Sequence, residues 1–186
     1  LHYIFVKKIN SLMIIWITGI SGSGKKKNIK YFFKNFKKKY RNTIFLDGDE
    51  FRSLFSNDLK YTIKDRDKNA ERMTAFVKYI SNQSINLVIS ANITSQKYRN
   101  WCKKNLKNFI QIYIRASLES LKSRDYKKLY SKALSGKIKN VVGVDLPFNE
   151  PKNIDLFLDN NDSKKSFLEK TRLINKSLKE KKIKIY

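Results

Sequence analysis

The stretch Ile17–Asn28, ITGISGSGKKKN, decides how this chain is read. Gly19, Gly24 and Lys25 have the spacing of a phosphate-binding loop: a glycine, four residues, a glycine and a lysine, then a serine or threonine. Lys26 stands where the hydroxyl belongs, and Lys27 follows it. Before the loop, MIIWIT (Met13–Thr18) reads as a buried strand. After it, Ile29, Phe32, Phe33, Phe36 and Tyr40 recur at steps of three and four, an apolar helix stripe with lysines opposite. Glycines in a turn between strand and helix let backbone N–H groups converge on phosphate oxygens, and the helix dipole favours the negative charge. Gly19, Ser21, Gly22, Ser23, Gly24, Lys25 and Lys26 are therefore candidates for holding ATP, with Lys25 reaching the β- and γ-phosphates. The competing reading is a tight turn with no ligand.

Lys26 bears on the metal. A hydroxyl at that position ligates Mg²⁺, whereas an ammonium has no lone pair to offer. Lysines in the first helical turn also oppose the dipole, by roughly 0.3–1 kcal/mol each at exposed sites. Phosphate binding is expected and direct metal ligation at this position is not. Lys26 then points either to solvent or to a phosphate, replacing part of the metal's charge.

Further apolar runs bounded by turn residues read as strands: TIFLD (Thr43–Asp47), NLVIS (Asn86–Ser90), IQIYI (Ile110–Ile114) and DLFLD (Asp155–Asp159). Arg72–Ile80 reads as helix, with Met73, Phe76, Val77 and Ile80 on one face. Ser163–Glu180 reads as a C-terminal helix through Phe167, Leu168, Leu173, Ile174 and Leu178. Strands alternating with helices imply an α/β fold, a parallel five-stranded sheet covered on both faces. No linker divides residues 13–186, which read as one domain. Met13 sits directly before the first strand, so residues 1–12 read as an upstream extension or a fragment boundary, with no function assigned.

Composition bounds the rest. With 186 residues, 41% apolar, 12 Phe and 10 Tyr, the chain can bury a substantial core. One cysteine, Cys102, excludes an internal disulfide framework, and one histidine, His2, makes a His-based metal site an unfavoured reading. The longest apolar run is too short and Gly-rich to span a bilayer, and the N-terminus lacks a signal-peptide pattern. A reducing, cytoplasmic setting is the expectation. The formal charge of +25 could indicate a nucleic-acid partner. The lysines are spread along the whole chain without a nucleic-acid module, so general lysine richness is the preferred account.

LDGDEFR (Leu46–Arg52) places Asp47 and Asp49 at the end of the second strand, where ligands bind in parallel α/β sheets. Two carboxylates there can hold Mg²⁺ through water and orient an acceptor hydroxyl or take its proton. Arg52 can meet a substrate phosphate. The competing reading is a helix N-cap by Asp49 and a surface arginine. Further on, Arg66, Asn69 and Arg72 are three apart, so they share one helix face suited to an anion, or simply form a solvated face.

At these residues the chain resembles the adenylylsulfate (APS) kinases, from about Ile14 to Asp159. LDGD with Arg52 looks like one family signature. DRDKNAERM is similar to its D-R-x-x-N-x-x-R segment, and SRDYKKLYSKALSGKIKNVVGVDLPFNEP is similar to its R-D-x-K-x-L-Y, K-A, G-x-I-K and G-hydrophobic-D-x-P segments in order. The resemblance implies a three-layer P-loop kinase fold with a lid over about residues 120–147. It implies transfer of the ATP γ-phosphoryl group to the 3′-hydroxyl of adenylylsulfate, with Mg²⁺. It also implies that Tyr61 stacks on the substrate base, that the Ile93–Thr94 backbone lies by the substrate, that Arg124 covers the ATP base and that Lys139 reaches the substrate. For Tyr61 and Lys139 the plain alternatives are a half-buried tyrosine and one more solvated lysine. Members of the family commonly form dimers.

The chain departs from the pattern in VISANITSQKYR, where Asn92, Ser95 and Lys97 replace an aromatic, a proline and an arginine. It departs again at Val141, where an aromatic completes a sandwich around the substrate adenine. A base–aromatic stack is worth about 1–3 kcal/mol in nucleic-acid systems. Its loss relaxes adenine preference and opens a second substrate reading, the cytidine diphosphate derivatives phosphorylated by family members in capsule phosphoramidate synthesis. Two other classes remain: a nucleotide-binding relative disabled by Lys26 and Lys27, and a basic nucleic-acid-binding protein, which leaves the ordered motifs unexplained.

Overall fold

Ile14, Ile15, Trp16 and Ile17 are each at most 1% exposed, so the strand before the glycine loop is covered on both faces. This strand, β1 (Ile14–Thr18), is central in a five-stranded parallel sheet of order β2-β3-β1-β4-β5. The others are β2 (Thr43–Asp47), β3 (Asn86–Ser90), β4 (Phe109–Arg115) and β5 (Leu156–Asp159). The computed structural model describes residues 12–125 and 128–161, together with Glu169, Arg172 and Ile174, and Lys27 and Asn28 by backbone alone.

Alternation along the strands divides the core in two. Ile15 and Ile17 face α1 (Lys25–Lys39), meeting Ile29, Phe32 and Phe36. Ile14 and Trp16 face α3 (Ile63–Asn82) and α4 (Gln96–Asn105), meeting Met73, Val77 and Cys102. Burial raises the Cys102 thiol to about 12, which leaves it an inert core residue. A third cluster joins Ile20 of the glycine loop to α5 (Leu118–Arg124), α6 (Leu129–Leu134) and the segment around Val141 and Val142, the region expected to be a lid.

The α/β fold and its five strands agree with the sequence reading, with β2 and β3 matching in bounds and the other three shifted by a residue at one or both ends. The second helix differs: α3 begins at Ile63, well before Arg72. Thr62 caps it, accepting from the Asp65 N–H at 3.1 Å, and its first turns are too polar to leave an apolar stripe in the sequence. The expected C-terminal helix lies outside the described residues apart from Glu169, Arg172 and Ile174, which are helical, Ile174 being buried against the α1 side of the sheet. Residues 1–11 lie outside them too. Among the described residues no helix is long and apolar enough to cross a membrane.

Candidate active site

Three strands end side by side, β1 at Thr18, β2 at Asp47 and β3 at Ser90, with Asp47 paired in register with Ser90. The glycine loop leaves β1 here. A methyl group on Gly19 would collide with the Ile114 carbonyl oxygen and lie 2.6 Å from Ser23 Oγ, so only glycine lets the loop close this tightly. Gly22 and Gly24 have φ of 76° and 92°, and Gly24 caps α1 in the left-handed region.

Lys25 turns back onto its own loop, donating to the carbonyls of Gly19 and, at 2.7 Å, Ile20. Burial lowers its ammonium to about 8, against the opposing pull of Asp49 and then Asp47. Two residues absent from the sequence-derived site brace the loop. Tyr130 of α6 donates to the Ser21 carbonyl at 2.7 Å, and buried Asn160 donates to the Ser23 carbonyl at 2.8 Å. Arg124 donates to the Asn160 carbonyl at 2.7 Å, which connects it to the same brace. Ser23 Oγ is buried without a hydrogen-bond partner among the described residues.

The acidic turn settles the competing reading, a helix cap by Asp49. The cap of α2 (Gly48–Ser53) is Asp47, not Asp49: its Oδ1 accepts from the N–H groups of Asp49 at 3.0 Å and Glu50 at 3.3 Å. Asp47 is buried and Asp49 exposed. Lys26 Nζ lies 3.6 Å from Asp47 Oδ1 and 3.6 Å from Glu50 Oε1. Lys26 thus reaches the acidic turn while its side chain stays about half exposed to solvent, at 51%. The glycine loop suits a phosphate chain. The residues do not fit a magnesium ion ligated directly by the protein, because residue 26 is an ammonium paired with one of the two carboxylates. Among the described residues no group of three or more His, Cys, Asp or Glu could hold a metal.

Beyond the acidic turn, the expected acceptor residues meet in part. Tyr61 is 48% exposed, with the guanidinium carbons of Arg52 and Arg66 at 4.9 and 5.4 Å from its ring centroid. Arg52 is buried and donates to the Lys60 carbonyl at 2.9 Å, so its guanidinium holds the loop before α3. Arg66 donates to the carbonyls of Tyr61 and Asn140, both at 2.9 Å, linking α3 to the expected lid. Its pKa is lowered by burial and by Arg52, and Asp49 and Asp145 oppose that. Asn69 is buried with its amide oxygen unpaired among the described residues. Arg72 makes a two-pronged pair with Asp58 at 2.9 and 2.7 Å.

Val141 is buried in the apolar cluster of the expected lid, and its N–H donates to Asp145 Oδ1 at 2.6 Å. Lys139 is exposed beside Asn140. Ile93 is buried and Thr94 half-buried in the loop after β3, where Asn92 Oδ1 accepts from Thr18 Oγ1 at 3.3 Å.

The comparisons with known proteins agree with this arrangement. The family model described as adenylylsulphate kinase matches residues 11–159. A cytidine diphosphoramidate kinase of Campylobacter jejuni is 37% identical over 169 residues, covering 91% of this chain and 98% of the relative. An adenylyl-sulfate kinase of Prochlorococcus marinus is 36% identical over 152 residues, 79% of this chain and 74% of the relative. Among solved structures, the APS kinase of Mycobacterium tuberculosis in complex with AMPPNP and APS superposes with a TM-score of 0.80 at 27% identity, covering 90% of this chain and 98% of that one. The chain belongs to the adenylylsulfate kinase family of ATP-dependent P-loop kinases.

Proposed function

We propose that this chain transfers the γ-phosphoryl group of ATP to the 3′-hydroxyl of adenylylsulfate. One observation carries the reading: Asp49 is an exposed carboxylate within electrostatic reach of both Lys25, in the phosphate loop, and Arg66, on the side of Tyr61 and Asn69. A group between donor and acceptor sides is where a hydroxyl must be oriented. The loop N–H groups and Lys25 hold the phosphates, Lys25 exchanging its loop carbonyls for phosphate oxygens. Asp49 accepts the hydroxyl proton as the acceptor oxygen bonds to the γ-phosphorus and the bond to the β–γ bridging oxygen breaks, releasing ADP. Arg66, Asn69 and the Thr94 backbone orient the acceptor, with Tyr61 under its base. Magnesium, usual for such kinases, would be held by phosphate oxygens and by water on Asp49, without a hydroxyl from the chain. Such catalysis is mainly positioning and electrostatics.

Two observations favour a second acceptor, a cytidine diphosphate derivative. Val141 offers no aromatic wall for a purine, and the C. jejuni relative named for cytidine diphosphoramidate is matched over nearly its whole length. A coupled assay of ADP release with adenylylsulfate and with cytidine diphosphate derivatives separates the two. ADP release with adenylylsulfate, yielding a 3′-phosphorylated product, is the expected result. Release with the cytidine compounds alone establishes the second reading. Release with neither overturns both and leaves a nucleotide-binding protein.

A further inference from the structure

Arg99 lies on α4, at the end of VISANITSQKYR and with no role assigned to it from the sequence, yet it is among the most deeply buried large side chains, at 2% exposure. Among the described residues no carboxylate forms an ion pair with its guanidinium. Its side-chain hydrogen bonds go to the loop after β3 and to the first residue of α4. Nη1 donates to the carbonyl of Ile93 and, at 2.9 Å, to that of Thr94, while Nε and Nη2 both donate to Gln96 Oε1, at 3.0 and 2.8 Å. Burying a guanidinium without a counter-charge is costly, and a stable fold retains one where it satisfies groups nothing else can reach.

The peptides of this loop are trans. In a planar trans peptide the C=O and the following N–H point in opposite directions. With the carbonyls of Ile93 and Thr94 drawn inward to the guanidinium, the N–H groups of Thr94 and Ser95 point away from it. The loop stands at the carboxyl end of the sheet. Ala91 packs so closely on Gly48, in the acidic turn, that a methyl group there would lie 2.9 Å from its Cβ, and Asn92 bonds Thr18 at the end of β1.

We propose that Arg99 is a positioning residue for the acceptor nucleotide. It fixes the 93–95 backbone so that the Thr94 and Ser95 N–H groups meet an anionic group of the acceptor, with an unpaired positive charge behind them. This rests on the acceptor site given under Proposed function.

Steady-state kinetics on the full chain, varying acceptor and ATP separately, tests it. Arg99→Met raises the acceptor KM by about tenfold or more, the worth of one charge-assisted hydrogen bond, and leaves the ATP KM within about twofold. Arg99→Lys keeps the charge without the fork and recovers part of the loss. Gln96→Ala loosens the guanidinium from a half-buried position and raises the acceptor KM about threefold without lowering the melting temperature. If the Arg99 variants fail to fold, Gln96→Ala decides alone. An unchanged acceptor KM in that variant overturns the proposal, as does a parallel rise of both KM values or a kcat loss that tracks lost thermal stability. A wild-type chain that turns over no acceptor brings down the functional reading itself, a failure visible before any variant is made.

Discussion

The two halves of the candidate site are held by different physics. On the donor side the phosphate loop is braced by two neutral hydrogen bonds from buried groups, Tyr130 on Ser21 and Asn160 on Ser23, and Gly19 is pressed against β4. On the acceptor side Tyr61, Arg66 and Arg72 are held by cation–π contacts, backbone carbonyls and an ion pair open to water. Buried hydrogen bonds resist removal because a lost partner leaves a desolvated group unpaired, whereas exposed pairs exchange partners at little cost. By that measure the glycine loop is the more firmly held half, and the half around Tyr61 and Arg66 is the one expected to rearrange around an acceptor.

The largest effect is expected at Lys25. Lys25→Met removes the cation nearest the transferring phosphoryl and should lower turnover by about 10²–10³-fold or more, read as kcat at saturating ATP. The same lysine gives a pH signature. Its ammonium titrates near 8 because burial disfavours the charge, below the ordinary 10.5. Phosphate oxygens favour the charged form, so ATP binding takes up a proton once the pH exceeds about 8, and affinity falls as pH rises through that range. Calorimetry in two buffers of different ionisation enthalpy measures the uptake. No uptake at pH 8.5, or the same uptake in Lys25→Met, breaks the assignment.

Gly19→Ala ranks next. The added methyl meets the Ile114 backbone carbonyl, which cannot turn aside, and the buried Ser23 hydroxyl, so overpacking of about 1–3 kcal/mol is expected in thermal or urea denaturation. ATP affinity falls with it. A variant as stable as wild type would show that the loop is not as tightly closed as its contacts imply.

The same contrast explains what could be read before the structure. The sheet was legible because both faces of β1, β3 and β4 are covered, which makes their sequences continuous apolar runs. The phosphate loop was legible because backbone geometry, not side-chain chemistry, demands its glycines. The capping role of Asp47 went to Asp49 in the sequence reading because two acids flank Gly48 and only the end of β2 decides between them. Arg99 and Tyr130 stood in stretches compared with the family but without a role, and Asn160 lay outside them. Each acts by donating to a carbonyl of another segment, a partner that no spacing reveals. Arg52 and Arg72 read as anion receptors from their positions on helices, and only the folded chain shows that Lys60 and Asp58 are within their reach as well.

A smaller effect is expected where donor and acceptor sides meet, at Lys26. Its ammonium sits between Asp47 and Glu50, on the edge of the phosphate loop. With no hydroxyl ligand at this position, ATP should bind nearly as well without magnesium as with it. Lys26→Thr restores the hydroxyl and releases Asp47, so the ratio of affinities with and without magnesium should rise by about tenfold, the worth of a modest electrostatic contact. Calorimetry with ATP alone and with excess magnesium gives that ratio. An unchanged ratio would falsify the view that Lys26 stands in for part of the metal's charge.

The smallest expected change tests whether the acceptor side really trades partners. Arg72 is bound to Asp58, and both groups are open to water, with the carboxylate held below its usual range chiefly by the Arg72 hydrogen bond. An acceptor anion at Arg72, as the family resemblance implies, would compete with that carboxylate for the guanidinium. Asp58→Asn removes the competitor while keeping a polar side chain of the same size, so the acceptor KM should fall by about two- to threefold, the scale of an exposed ion pair, with kcat unchanged. Added salt should shrink the difference, because screening weakens the pair in the wild type as well. A rise in acceptor KM would mean that Asp58 holds Arg72 in its working position instead, and that the acceptor side is pre-formed like the phosphate cradle.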